Sequence, residues 1–404
     1  MKRRNFLRNS IGAAISLGFV SNSIGAEFFN SKELPELPFD QELKYHKFDR
    51  IEFSEVQLRY PRPVGLNAVR GPHGSGSTAT VVTLKTDKGA SGIGLCRMNI
   101  DESKKAFELL KGNPVTDFFA VNKGIINDSA TTFDVPLHDL AGQILQKPVY
   151  KLLGNDKPVT VPCYSGMIYF DDLDQATEKA GFDKILEECQ FDYNYGYRQF
   201  KLKIGRGHKY YSGEKGLKRD IEITKLVAKN FPDCDILIDG NDGFTVNGII
   251  DYLKGIGDIS LFWLEEPFAE TVEDYRILRN WTKNKAHIKH YADGELNTNI
   301  DLVYELGDLG LIDICLADIM GYGFTPWRNL MPVLKGKKIL ASPHNWGSMI
   351  KTFYTVQLVG ALGNTASIEG VTCTSDDIDL TGYKLVDGKY IPSDAPGFGM
   401  KLLV

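Results

Sequence analysis

The sequence predicts a parallel α/β barrel preceded by a smaller α+β domain. Eight short apolar runs recur between residues 159 and 370, each followed by a longer amphipathic segment. They are VTVPCYS (159–165), RQFKLKIG (198–205), DILIDGN (235–241), LFWLEEP (261–267), IKHYADGE (288–295), IDICLADI (312–319), KKILASPH (337–344) and TASIEG (365–370). Strands alternating with helices in this number close into a barrel rather than an open sheet. Polar residues end these runs from the second onward. From Lys203 they recur at intervals of 36, 26, 30, 23, 26 and 25 residues, the size of a strand–helix unit.

The elements follow in chain order. Residues 1–26 read as an export signal. MKRRNFLR opens the chain, Ile11–Val20 is apolar, and small residues Ser23, Gly25 and Ala26 follow. Arg3 and Arg4 before Phe6 and Leu7 resemble a twin-arginine signal, with a general secretory signal or an uncleaved anchor as the alternatives. The apolar run is too short for a comfortable membrane span. A periplasmic protein, without stable membrane insertion once the signal is removed, is therefore expected. Residues 27–45 form a polar leader extension. Residues 46–154 form the α+β domain. In it, TATVVTLKTDKGASGIG (78–94) reads as a hairpin about Asp87-Lys88-Gly89, and 102–153 are helical in pattern. The barrel occupies 155–372. KGLKRDIEITKLVAKN (215–230) and TVEDYRILRNWTKN (271–284) are two of its helices, with apolar residues at helical spacing. A C-terminal segment, 373–404, completes the chain.

Composition excludes little. A net charge of −5 argues against a nucleic-acid binder. The six cysteines (96, 163, 189, 234, 315 and 373) form no CxxC pair or cysteine–histidine zinc pattern, and free thiols are expected.

A parallel barrel gathers its active site at the C-terminal strand ends. The residues ending successive runs are Lys201 and Lys203, Asp239, Glu265, Glu295, Asp318, His344 and Glu369. Converging carboxylates repel unless a cation lies among them, so Asp239, Glu265 and Glu295 are read as Mg²⁺ ligands. Asp293 shares a strand face with Glu295 and is a rival ligand. Lys201 and Lys203 lie two apart on one face, and each disfavours the other's charge. Lys203 is read as a base and Lys201 as a group polarising a carboxylate oxygen. Asp318 orients His344 and raises its basicity. Glu369 donates a proton to an enolate oxygen if it is kept protonated. HNWGS, beginning at His344, reads as a loop over the mouth that brings Asn345 to the substrate. In the Gly-rich stretch VRGPHGSGS, Arg70 and His73 are candidate partners for a distal carboxylate or hydroxyls.

In these residues the chain resembles the enolase superfamily, in its mandelate racemase-like branch, over about residues 48–404. LHDLAGQILQKPVYKLLG (137–154) resembles that family's junction between capping domain and barrel. KLKIG (201–205), LEEP (264–267) and ADGEL (292–296) resemble its Lys-x-Lys and metal-ligand strands. The resemblance implies a modified TIM barrel, (β/α)7β, under an α+β capping domain. It implies Mg²⁺ on Asp239, Glu265 and Glu295, and bases Lys203 and His344–Asp318 on opposite faces of the substrate α-carbon. It also implies a helper Lys201, an electrophilic Glu369, and a homo-oligomer. The tail is expected to return to the cap through KLVDGKYIP (384–392). IMGYGF after Asp318 departs from the family's usual Gly-Gly pair, so a reshaped loop is expected there.

The expected activity is removal of the proton next to a carboxylate. Dehydration of a small sugar acid, an aldonate or aldarate, to a 2-keto-3-deoxy acid is favoured. Racemisation, epimerisation or cycloisomerisation through the same enediolate is the alternative. A sugar-acid-binding protein without turnover would lack some of these groups, and every position is filled.

Overall fold

Period-two alternation builds the long first strand. Along β1 (Phe48–Val64), Val56, Leu58 and Tyr60 are buried between exposed neighbours. The structure is a computed structural model that describes residues 40–157, 159–173, 181–295 and 298–404. The export signal and residues 27–39 of the leader lie outside the described residues. β1 pairs antiparallel with β2 (Gly74–Thr86), and β2 with β3 (Ser91–Leu95) across the expected Asp87–Gly89 turn. α1 (Ile100–Glu108) starts where the Asn99 side chain accepts the Glu102 N–H at 2.9 Å. A small ladder of β4 (Phe119–Ala120) and β5 (Gly124–Ile125) follows. α2 (Asp134–Leu145) then lies directly on β3. Glycine permits this approach: a Cβ on Gly94 would stand 2.6 Å from Cδ of Pro136, and one on Gly92 would strike Leu140. α3 (Val149–Leu152) leads out of the cap.

The barrel begins with β6 (Val161–Ile168), α4 (Phe182–Tyr195), β7 (Gln199–Lys203), α5 (Arg206–Lys209) and α6 (Gly213–Asn230). It continues with β8 (Asp235–Asp239), α7 (Val246–Ile256), β9 (Leu261–Glu265), α8 (Val272–Thr282), β10 (Ile288–Asp293) and α9 (Ile300–Asp308). β11 (Ile314–Cys315), α10 (Ile319–Tyr322), α11 (Phe324–Lys337), β12 (Leu340–Ala341), α12 (Met349–Leu362) and β13 (Ile368–Gly370) complete it. β6 to β12 pair in parallel in chain order, and β13 returns to pair with β6, which makes the modified TIM barrel. Seven of the eight apolar runs contain their strand, and β6 extends past the end of its run to Ile168. α6 buries one stripe, Gly216, Asp220, Ile223, Thr224 and Val227, whereas α12 is buried almost throughout. Inside the barrel, Tyr164, Leu237, Trp263, Ala292, Ile314 and Leu316 form an apolar floor.

The tail returns to the cap, but by other residues than expected. The Thr374 N–H donates to the Arg59 carbonyl at 2.9 Å, and the Phe398 N–H to the Asp139 carboxylate at 2.7 Å. The segment 384–392 folds as β15 (Lys384–Val386) and β16 (Lys389–Ile391), after β14 (Ile378–Asp379) and before β17 (Lys401–Leu402). β16 adds antiparallel to Val161 and Pro162 at the start of β6, so this hairpin lies on the barrel. The six cysteines are free thiols, four of them buried.

One buried ion pair joins β1 to the barrel. The Arg62 guanidinium donates to both Asp192 carboxylate oxygens at 2.9 Å, with Glu188 3.7 Å away. Ser165 also donates to Asp192, at 2.6 Å. Removing one partner strands a buried charge, whereas removing both does not. Arg62→Met should therefore cost about 3–5 kcal/mol in denaturant unfolding, and adding Asp192→Leu should recover most of it.

Candidate active site

β7 is buried along its whole length, and alternation turns Lys201 and Lys203 to one side, into the barrel mouth. Each lysine meets carboxylates from neighbouring strands. Lys201 Nζ lies 2.8 Å from Glu265 Oε1, 3.0 Å from Glu369 Oε1 and 3.2 Å from Asp239 Oδ2. Lys203 Nζ bonds the same Asp239 oxygen. Burial opposes charge on Lys201, but Glu265, Glu369 and then Asp239 outweigh it and hold the ammonium well above the usual lysine range. Lys201 is thus held cationic, as a group that polarises a carboxylate oxygen must be.

Asp239, Glu265 and Glu295 each offer one oxygen, all within 4.8 Å of one another. Glu295 Oε2 is buried without a hydrogen-bond partner. Below them, Trp263 Nε1 donates to Glu265 Oε2 at 3.0 Å. Three hard oxygens and an orphaned carboxylate atom fit a divalent cation. The rival Asp293 is committed elsewhere: it accepts from the Tyr275 hydroxyl and, at 2.6 Å, from the Gly294 N–H. Glu266, beside Glu265, accepts the Glu295 N–H at 3.2 Å and so braces that ligand's backbone.

The expected dyad forms. β11 and β12 are each only two residues long, and their pairing resumes at a single bridge, Asp318 to His344. His344 Nδ1 lies 3.0 Å from Asp318 Oδ2, and Nε2 lies 3.2 Å from Glu295 Oε1. Asp318 Oδ1 caps α10 by accepting from Met320 N and Gly321 N at 2.9 and 2.6 Å, which fixes the carboxylate's direction. This is the local form of the departing IMGYGF stretch. Burial lowers the His344 pKa, but Glu295, Glu369 and Asp318 raise it above the ordinary value of 6.5.

Three further candidates sit in environments that differ from the expected ones. The surroundings of Glu369 disfavour its protonated form. Burial pushes its carboxyl up, but Lys201, His344 and Lys203 hold it below the usual glutamate range. A Cβ on Gly166 would lie 2.5 Å from Glu369 Oε1, so glycine there makes the room this carboxylate occupies. Asn345 does not face the mouth. Its amide donates to the Glu369 carbonyl at 3.0 Å and accepts from Thr352 at 2.9 Å, and its N–H lies 3.2 Å from Glu369 Oε2. It anchors Glu369 from the wall. Arg70 is exposed, and its backbone, not its guanidinium, is engaged, by Asn67 and Tyr210.

His73 does reach the mouth. Nδ1 lies 2.8 Å from the Gly65 carbonyl and therefore carries the proton. Its ring packs on Tyr169 and Trp346, with centroids 4.6 and 5.4 Å away. Tyr169 and Tyr164 were not singled out from the sequence, yet their rings lie 5.2 Å from Lys203 Nζ and Lys201 Nζ respectively. The rule that found the other groups, the residue ending each run, applies to Tyr169 once β6 is seen to extend to Ile168.

The arrangement defines a class: a capped parallel barrel with a carboxylate triad between two lysines and a His–Asp pair. The family model for Enolase C-terminal domain-like proteins matches residues 184–403. The chain belongs to this family, the enolase superfamily. It is 30% identical to a galacturonate dehydratase of Geobacillus sp. whose structure holds D-galacturonate and 5-keto-4-deoxy-D-galacturonate. That match covers 89% of this chain and 95% of the other, with a TM-score of 0.82. A variant of that enzyme is complexed with Mg. The chain is 25% identical to a 3,6-anhydro-alpha-L-galactonate cycloisomerase of Streptomyces coelicolor, over 70% of this chain and 72% of the other. It is 26% identical to an arabinonate dehydratase of Saccharolobus solfataricus, over 69% and 70%.

Because Asp318 helps to raise the His344 pKa, Asp318→Asn should lower it. Proton NMR of the imidazole C2–H should show His344 titrating above 6.5 in the wild type and at lower pH in the variant. At a pH between the two values, the variant therefore holds more neutral imidazole.

Proposed function

We propose that this chain is a Mg²⁺-dependent hydro-lyase that removes the proton next to the carboxylate of a sugar acid and expels the β-hydroxyl as water. One observation carries the reading. The strand order sets Lys203, on β7, on one flank of the three carboxylate strands and the Asp318–His344 dyad on the other. A small acid held at the triad would thus have a proton-transfer group on each side.

Asp239, Glu265 and Glu295 would hold the cation, which when bound supplies Lewis acidity towards the substrate's carboxylate. Lys203 or neutral His344 takes the α-proton, and the electron pair moves into the carboxylate as an enediolate. Lys201, kept cationic by Glu265 and Glu369, stabilises that added charge. The β C–O bond then breaks, and hydroxide leaves with a proton from the group on the other flank. The resulting enol becomes a 2-keto-3-deoxy acid, or the corresponding deoxy-keto uronate. The similarity to the galacturonate and arabinonate dehydratases supports this class and extends it from aldonates and aldarates to uronates. An isomerase acting through the same enediolate is the second reading, favoured by the similarity to the cycloisomerase. The leader at residues 1–26 supports export to the periplasm by the twin-arginine route, and fractionation of expressing cells should place the mature chain there.

Purified protein with Mg²⁺ should form a keto acid from at least one member of a panel of uronates, aldonates and aldarates. Lys203→Ala and His344→Asn should each lower kcat by about 10²–10⁴-fold. Chelation should abolish turnover, and Mg²⁺ should restore it. Deuterium entry at the α-carbon without keto acid would favour the isomerase, and neither signal would sink both readings.

A further inference from the structure

Three cap side chains end on backbone carbonyls of the two segments that carry the dyad. The Tyr60 hydroxyl, on β1, donates to the Gly347 carbonyl at 3.0 Å. Ser77 Oγ, on β2, donates to the same oxygen at 2.9 Å. Arg97, just beyond β3, donates through Nη2 to the Gly321 carbonyl at 3.0 Å. Gly347 follows His344 by three residues, and Gly321 lies in α10, the helix capped by Asp318. The Tyr60 ring also stands 6.1 Å from Trp346, in the His344 loop.

These two segments need outside support. β11 and β12 share only two paired residues, and beyond them the chains meet at the lone Asp318–His344 bridge. Lys203 is held differently. β7 pairs with β8 over five consecutive positions, Gln199 to Lys203, and the lysine bonds Asp239 within the barrel. Cap hydrogen bonds on that side end on Met167, Phe170, Asp192, Lys209 and Tyr210, all off β7. The cap contacts towards Lys203 are packing contacts, His73 on Tyr169 and Ala68 beside Gly205.

We propose that Tyr60, Ser77 and Arg97 are positioning residues for the Asp318–His344 dyad. The docked cap thereby sets one of the two flanking proton-transfer groups and leaves the other, Lys203, to the barrel. This rests on the acid–base reading above. Its consequence is asymmetric: loosening the cap disables chemistry on the His344 side first.

The test uses the Tyr60→Phe/Ser77→Ala double variant and, separately, Arg97→Gln, each in the full chain. The first readout is amide hydrogen exchange by mass spectrometry and needs no substrate. In the double variant, peptides spanning 343–348 should exchange about tenfold faster, as two lost hydrogen bonds imply, while 199–205 stays unchanged. In Arg97→Gln the same should hold for 318–323, by about threefold. The second readout is α-deuteration in D₂O of an acid the wild type turns over and of its α-epimer. His344→Asn and Lys203→Ala assign each rate to its side. The His344-side rate should fall about tenfold relative to the Lys203-side rate in the double variant. Equal loosening of both regions, loosening of neither, or loosening with an unchanged ratio of rates would each overturn the proposal. If the wild type deuterates no acid, the acid–base reading fails, and with it the claim on catalysis. The exchange data then decide by themselves whether the cap holds the dyad segments.

Discussion

Burying charge at one end of the barrel is the constraint on which the rest of this structure depends. Asp239, Glu265 and Glu369 are almost wholly removed from solvent, and Lys201 touches all three. Desolvating such groups is costly unless each finds an opposite charge in good geometry. A single strand cannot supply that geometry, because side chains on one strand face share one direction and are spaced too widely. A closed ring of strands can, since it brings the ends of strands distant in sequence within hydrogen-bond reach. The apolar floor of Leu237, Trp263 and Ile314 keeps water from below, and the cap limits it from above. Even the floor takes part, through the Trp263 bond to Glu265.

The same constraint explains what the sequence revealed. The eight strands and the order of their terminal residues were legible, because burial writes apolar runs and the closed ring writes their spacing. Asp318 and His344 were legible as the ends of adjacent runs, although their strands are only two residues long. What stayed hidden involves contacts without local signature. Arg62 meets Asp192 across 130 residues, and nothing near either residue announces the pair. Asn345 looked like a ligand contact because it follows His344, yet its rotation into the wall is decided by Thr352 and Glu369. The charge state of Glu369 likewise depends on how many cations surround it, and its identity as a glutamate carries none of that information. Tyr169 lay one element end further along than an apolar run ending at Ser165 suggested.

The site is also economical in how it separates roles. Two acids that flank the triad without joining it have their own partners: Asp293 holds Tyr275, and Glu266 holds the Glu295 backbone. Carboxylates adjacent in sequence are thus divided between holding a cation and holding the residues that hold it. That division lets Glu265 and Glu295 each present an oxygen to the triad despite an acidic neighbour.

The unpaired thiols have a consequence of another kind. All six cysteines are free, and Cys163, Cys189, Cys315 and Cys373 are walled into apolar packing. The chain therefore reaches its native form without an oxidant, and its maturation is independent of the redox poise around it. In oxidising surroundings the danger is not a missing crosslink but a wrong one. For the four buried thiols, oxidation would require the barrel to open far enough to bare them, so the opening rate of the core sets their lifetime; the half-buried Cys96 and Cys234 can be reached without it.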